Sequence, residues 1–420
     1  MSSSALLTES KRHAGHSQAG LIDRFAQRCL LRGIQNLRDG YLQIHDGNRV
    51  FTAGDPTADL HVKLNVEHPR FYRRTALGGS LGASESFLDG EWTCDDLTAL
   101  LRLFGRNLEL SDEMDRGLPR MAKWVATLAH KLRANTRRGA QRNIQDHYDL
   151  SNDFFSLFLD ERMMYSCAYF ETPDVSLETA STAKLETICR KLQLSPADHV
   201  LEIGTGWGGF AEYAARHFGC RVTTTTISRE QYDYAQQKIN AAGLSDRVEI
   251  LLKDYRDLSG RYHKLVSIEM IEAVGHKFLG TFFGKCGELL SDDGLMLIQG
   301  ITMPEQRYRQ YLRSVDFIQR FVFPGACLTS QTAMVDAAAK NTNLRVTHLE
   351  DWSAHYAETL RRWRSRFFDK LDDVKQLGFP DRFLRLWNYY LCYCEAGFEE
   401  RLTGLVQMMF AKPKYRGDSI

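Results

Sequence analysis

The sequence predicts an α/β protein: a doubly wound, mostly parallel sheet with a smaller α/β module on its N-terminal side. Three observations lead there. From about residue 180, helical and strand-like stretches alternate. A glycine-rich turn follows the first of those strands, at residues 204–209. Before residue 115, apolar runs are short and are broken by Gly and Asp.

The chain has 420 residues, enough for two domains. It carries a net charge of +1, which argues against a dedicated nucleic-acid binder. No apolar run is long enough to span a bilayer. Nine scattered cysteines without a CxxC pair suit neither a disulfide framework nor a zinc site, so reduced, mostly buried thiols are expected. Residues 1–20 are polar and read as a disordered tail.

Residues 21–115 form the expected module. "ADLHVKLNV" alternates as a strand does, and "CDDLTALLRLFGRNLEL" reads as a helix with Asp at its start. "DGNRVFTAGD" and "LGGSLGASESFLDGEW" read as turns and loops. Residues 116–145 hold no acid but eight Lys and Arg, among them Arg133, Arg137 and Arg138. Met121, Val125, Leu128 and Leu132 repeat at helical spacing, giving a basic amphipathic helix. Such a helix suits an anionic membrane surface, or else is a linker packed on its own protein.

In the remainder, "DHVLEIG", "CRVTTTTI", "DRVEILLKD", "HKLVSIEM", "GLMLIQGI" and "GLVQMMFAKP" supply strands. The turn "VLEIGTGWGGF" holds Gly204, Gly206, Trp207 and Gly208. Its glycine spacing alone admits a dinucleotide. Glu202, two residues before the first glycine, favours S-adenosylmethionine: a carboxylate attracts that cofactor's ammonium group and repels a pyrophosphate. After the second strand, Thr226, Ile227, Ser228 and Gln231 stand where an acid usually holds ribose, and their hydroxyls and amide are neutral replacements. Asp254 and Tyr255 after the third strand are placed for adenine.

"HYDLSNDFFSLFLDERMMYSCAYF", "VSIEMIEAVG", "DFIQRFVFPGACLTS" and "YYLCYCEAGFEERLTGLVQMMF", together with the glycine turn, resemble the cyclopropane-fatty-acyl-phospholipid synthases over about residues 140–415. The resemblance implies a seven-stranded class I methyltransferase domain over 146–415, with a lipid-channel insertion near 303–343. It implies methyl transfer from S-adenosylmethionine to the cis double bond of an unsaturated phospholipid acyl chain. A carbocation forms, a base takes a proton from the transferred methyl, and a ring closes. In-line positioning, aromatic faces and exclusion of water are the physical demands of that sequence.

By the same resemblance Tyr165 and Ser166 contact the cofactor, and Cys167 borders a bound bicarbonate that Glu272 orients. Read alone, Cys167 is a small buried hydrophobe and Glu272 a helix-capping acid, with Glu269 as a nearby rival. Gln299 and Arg364 stand where many members carry His and Tyr beside the bicarbonate, which opens the route to a methyl-branched olefin. Cys394 matches a cysteine near the lipid, and His147 and Tyr148 open a segment that covers the site. A homodimer at the cytoplasmic membrane face is the implied setting. Methylation without ring closure, a small-amine N-methyltransferase and an inactive lipid-binding protein are the competing readings.

Overall fold

A computed structural model of the chain describes residues 20–114 and 150–417. The basic stretch with Arg133, Arg137 and Arg138, the leading tail, His147 and Tyr148 lie outside the described residues. The chain divides into two units. The first takes described residues 20–114 together with Arg313–Val322 and Leu360–Leu402; the second takes the rest. Two segments that follow the expected boundary near residue 115 therefore belong with the N-terminal part.

The first unit holds a four-stranded sheet of β1 (Tyr41–Asp46), β2 (Arg49–Gly54), β3 (His61–Val66) and β4 (Trp92–Cys94), in the order β2-β1-β3-β4. Two stretches expected as loops are regular elements. "RVFTAG" is β2, paired antiparallel to β1 through a tight turn at Gly47, whose φ is 58°. "LGGSLGASESFL" lies within the helix Arg70–Leu88. The glycines do not end that helix but kink it: Gly79 takes φ 58°, ψ −139°, and a Cβ on Gly82 would stand 2.1 Å from the Arg74 carbonyl. The helix Leu97–Arg106 begins as expected, with Asp96 accepting from the Ala99 N–H. Arg102 and Arg106 pair with Glu400 from beyond the helix Asp381–Glu399.

Among the described residues the second unit holds seven strands: β5 (His199–Ile203), β6 (Arg221–Thr226), β7 (Val248–Leu252), β8 (Tyr262–Ile268), β9 (Leu290–Thr302), β10 (Arg345–Asp351) and β11 (Gly404–Ala411). Their order is β10-β11-β9-β8-β5-β6-β7. The run from β9 to β7 is parallel, and β11 lies antiparallel between β9 and β10. This is the expected doubly wound, mostly parallel sheet. Alternate strand residues feed two cores. Val200, Leu295, Leu297 and Met409 pack with the helices Leu177–Lys191, Gly209–Phe218 and Arg229–Ala241. Leu201, Met296, Ile298 and Met408 pack with Leu279–Leu289 and Gln331–Asn341. Residues 331–341, within the stretch expected as a lipid channel, thus form a core helix. Strand order reverses between β5 and β8, and the crevice beyond their C-terminal ends is where this architecture takes ligands.

Candidate active site

The turn after β5 is built on three left-handed glycines: Gly204, Gly206 and Gly208 have φ of 106°, 51° and 81°. Gly208 caps the helix Gly209–Phe218, so backbone N–H groups open toward the crevice. Trp207 donates from Nε1 to Asn152 Oδ1 at 2.7 Å. Its ring lies 5.1 Å from Phe155, which lies 5.1 Å from Tyr165, forming one aromatic wall.

Glu202 is 2% exposed, and its Oε2 has no hydrogen-bond partner among the described residues. Burial pushes its carboxyl up to about 8, against the Thr224 hydroxyl and the Lys184 charge. An enclosed acceptor of this kind calls for a donor, which an ammonium group supplies and a pyrophosphate does not. The residues therefore fit S-adenosylmethionine.

After β6, the Thr226 hydroxyl donates to Gln231 Oε1 at 2.8 Å, and Ser228 caps the next helix by accepting from the Gln231 N–H. Ile227 is partly exposed between them. Asp254 is less free than expected. Its Oδ1 accepts from the Arg256 N–H and Nε, and its Oδ2 from Arg256 Nη2 at 2.6 Å. Any adenine contact at Asp254 is shared with that guanidinium. The Tyr255 ring packs edge-on to Phe282.

The segment Tyr165–Phe170 is a loop without regular secondary structure. Upstream, the buried Asp160 carboxylate accepts from the Arg162 and Met164 N–H groups across a left-handed Met163. Downstream, Ala168 N–H donates to Thr359 Oγ1, and Tyr169 stacks on Trp352 at 4.7 Å. Cys167 is fully buried. Burial pushes its thiol up, so it is a neutral thiol rather than a nucleophilic thiolate.

The polar centre of the loop is its backbone. Cys167 N–H donates to Glu269 Oε1 at 2.9 Å. Gln299 Nε2 donates to the same oxygen at 2.7 Å, and the Tyr356 hydroxyl to Glu269 Oε2 at 2.5 Å. Glu269 itself has φ 50°, a strained conformation for a side-chain-bearing residue and a recurrent mark of functional positions. Glu272 stands on the turn Ile271–Ala273. Its Oε1 accepts from the Ile301 N–H, and its Oε2 is buried without a partner among the described residues. Gly300 permits this approach: a Cβ there would stand 2.7 Å from Ile271 Cγ2.

Both glutamates are partly exposed as residues, with their carboxyl groups enclosed. Enclosure pushes Glu272 up to about 8, with the Glu269 charge adding to it. It raises Glu269 as well, but three donors and Lys184 oppose the rise. Of the two, Glu269 therefore holds its charge more easily.

Lys184, wholly buried, donates to Ser166 Oγ at 2.6 Å. Its charge acts on Glu269, Asp160, Cys167 and Glu202, while burial lowers its own pKa. The sequence reading missed Lys184 and Tyr356. A lysine on the apolar stripe Ala180–Lys184–Ile188 was the available signal for the first. Nothing in the local pattern distinguishes Tyr356 from a core tyrosine. Arg364 and Cys394 belong to the first unit. There Arg364 is already paired, donating from Nε to Glu395 Oε2 at 3.0 Å, and burial raises the Cys394 thiol.

Residues 135–408 match the family described as mycolic acid cyclopropane synthetase. The chain is 39% identical over 367 residues to a tuberculostearic acid methyltransferase of Mycobacterium tuberculosis, covering 84% of each. It is 36% identical over 364 residues to the cyclopropane-fatty-acyl-phospholipid synthase of Escherichia coli K12, covering 86% of this chain and 89% of that one. Its structure resembles that of a mycolic acid cyclopropane synthase complexed with SAH and CTAB. The TM-score is 0.60 and the identity 29%, over 65% of this chain and 98% of the other. The glycine turn, the enclosed Glu202 carboxyl and these likenesses converge: the chain belongs to the mycolic acid cyclopropane synthetase family, as an S-adenosylmethionine-dependent lipid methyltransferase.

Proposed function

We propose that the protein acts on the cis double bond of an unsaturated phospholipid acyl chain and forms a cyclopropane ring. The observation that carries this is the buried Oε2 of Glu272, without a partner among the described residues, beside the Glu269 charge. Bound S-adenosylmethionine supplies an electrophilic methyl group. Glu202 would hold its ammonium group, Tyr165 and Ser166 would contact it, Thr226, Ile227, Ser228 and Gln231 would hold its ribose, and Tyr255 its adenine. Glu269 offers negative charge to a cation developing on the lipid. Glu272 Oε2, once its raised carboxyl has lost its proton, would accept the O–H of bicarbonate or an equivalent base and orient it toward the methyl group. The neutral Cys167 thiol keeps water from that cation.

A second reading has a specific support. Gln299 offers an amide to Glu269 where a histidine would offer a titratable ring, and one relative at 39% identity is named a tuberculostearic acid methyltransferase. Methyl transfer without ring closure would then give a branched olefin. The E. coli relative's name supports phospholipid as substrate, and Arg133, Arg137 and Arg138 supply charge for an anionic membrane surface. Among the described residues no helix is long and apolar enough to cross a membrane. Mass spectrometry of lipids from a host fed a trideuterated methyl donor separates the readings. A ring retaining two deuteriums supports the proposal, a branched olefin retaining three supports the second reading, and unlabelled lipid refutes both.

A further inference from the structure

Beneath Glu269 a hydrogen-bonded chain runs through the sheet. Gln299 in β9 and Gln407 in β11 are direct cross-strand partners, and both are wholly buried among apolar neighbours. Gln407 Nε2 donates to Gln299 Oε1 at 2.9 Å. Lys191, the last residue of the helix Leu177–Lys191, donates from Nζ to Gln407 Oε1 at 2.7 Å. Its ammonium also pairs with Glu350 of β10 and lies over the Trp352 ring at 5.1 Å. One direct bond, Gln299 Nε2 to Glu269 Oε1, joins this chain to the active-site carboxylate.

We infer that Lys191 is a positioning residue for Glu269, fixing through Gln407 which end of the Gln299 amide faces the reaction. An amide side chain has two ends of nearly equal size, so its neighbours decide which way it points. Lysine can only donate, so Gln407 must turn its carbonyl to Lys191 and its NH2 to Gln299. Gln299 must then accept from Gln407 and present its own NH2 to Glu269. Reversing both amides would set NH2 against ammonium at one end and carbonyl against carboxylate at the other. Two such mismatches in a dry sheet are strongly disfavoured. The position of Lys191 suits the task. It closes its helix, where the backbone dipole favours a cation, and Glu350 anchors it from the next strand. Apolar residues at 299 and 407 would pack the same space without unpaired groups. A polar chain there has a use only if its far end matters, and its far end is Glu269.

The role of Glu269 in catalysis rests on the function proposed above, whereas the orientation of Gln299 does not, so two readouts are needed. Gln407→Glu keeps and strengthens the Lys191 contact but offers Gln299 only acceptors. The Gln299 amide must then turn and show its carbonyl to Glu269. The expected result is a protein that still folds, with a melting temperature lowered by the one carbonyl–carboxylate mismatch at Glu269, and a cofactor Kd within about twofold. Turnover in the deuteromethyl assay should fall about tenfold or more, with KM for vesicle lipid little changed. Lys191→Met should lower turnover similarly, and Lys191→Arg should restore most of it. The side-chain amide signal of Gln299, identified by its loss in Gln299→Met, should move in nitrogen-15 spectra of Gln407→Glu. A folded Gln407→Glu with wild-type turnover, or with an unmoved Gln299 signal, overturns the inference. A wild-type protein that leaves lipid unmethylated overturns the proposed function, while the amide signal still decides the orientation.

Discussion

Glu269 allows charge and shape to be tested apart. Its Oε1 accepts from Cys167 N–H and Gln299, and its Oε2 from Tyr356. In Glu269→Gln the new carbonyl can stand at the Oε1 position and keep both of its bonds. The new NH2 then faces the Tyr356 hydroxyl, which rotates and accepts. All three contacts survive, so stability should change by about 1 kcal/mol or less, the net worth of one hydrogen bond. Glu269→Ala strands three enclosed donors, for roughly 3 kcal/mol or more, or a fall of about 6–12 °C in melting temperature. Both variants remove the charge. If that charge steadies a lipid cation, both should lose about 10- to 100-fold in kcat, matching 1.4–2.7 kcal/mol of lost electrostatic stabilisation. The assay is incorporation of a deuterated methyl into vesicle phospholipid, alongside calorimetric cofactor binding and a thermal melt. Wild-type kcat in Glu269→Gln would sink the electrostatic role. A loss that follows the melting temperature from Gln to Ala would reduce Glu269 to a scaffold.

Glu202→Gln should weaken cofactor binding about tenfold or more in calorimetry, since one partner of a charge-assisted bond is lost. In the wild type, binding near neutral pH should release a proton, because the carboxyl rests at about 8 when unpartnered and must ionise to meet an ammonium. A binding enthalpy independent of buffer identity would contradict this. The folded carboxyls of Glu202 and Glu272 titrate at about 8, whereas unfolded glutamate titrates near 4.5. Between those values the folded state holds more protons, so the melting temperature of the ligand-free protein should fall as pH rises from 5 to 8. Glu272→Gln should flatten that slope, and an unchanged slope would show that Glu272 does not carry it. Gly300→Ala forces a methyl to 2.7 Å from Ile271 Cγ2, and should cost about 1–3 kcal/mol and displace the Glu272 turn. Unaltered turnover in that variant would show that the turn has slack. Reversing the charges of Arg133, Arg137 and Arg138 should weaken sedimentation with anionic vesicles, and unchanged sedimentation would remove the membrane role of that segment.

Six of the seven strands of the second sheet were legible from their β-forming and apolar runs, as in "CRVTTTTI" and "GLMLIQGI". β10 was not read as a strand because, at the sheet edge and mostly exposed, it carries no apolar signature. The cofactor turn was legible because strand, carboxylate and glycines are adjacent in sequence. Glycine misled the reading where it kinks a helix, since Gly79 and Gly82 look like loop residues until their close packing is seen. The glutamates show the other limit. "EMIEAVG" offers two acids three residues apart, and only the tertiary fold shows that Glu269 gathers three donors while Glu272 keeps one oxygen without a partner among the described residues. Gln299 and Gln407 each interrupt an apolar strand, a visible oddity. Their partnership, however, depends on an antiparallel register that crosses 108 residues of chain. Arg364 was assigned by its neighbours in sequence, but its partner Glu395 lies a helix away.

The placement of β11 has a consequence for synthesis. Residues 404–411 leave the ribosome after both strands that flank them, β9 and β10, have been made. Until then β9 keeps one edge open, with Leu295, Leu297 and Ile298 on it, and β10 has no neighbour in its own sheet. An unpaired apolar edge invites pairing with another chain. A nascent chain that stalls before residue 404 would expose such an edge and lack Gln407 as well. Chaperone demand should therefore peak late in translation, and loss of the last strand should yield an aggregating polypeptide rather than a weakened enzyme.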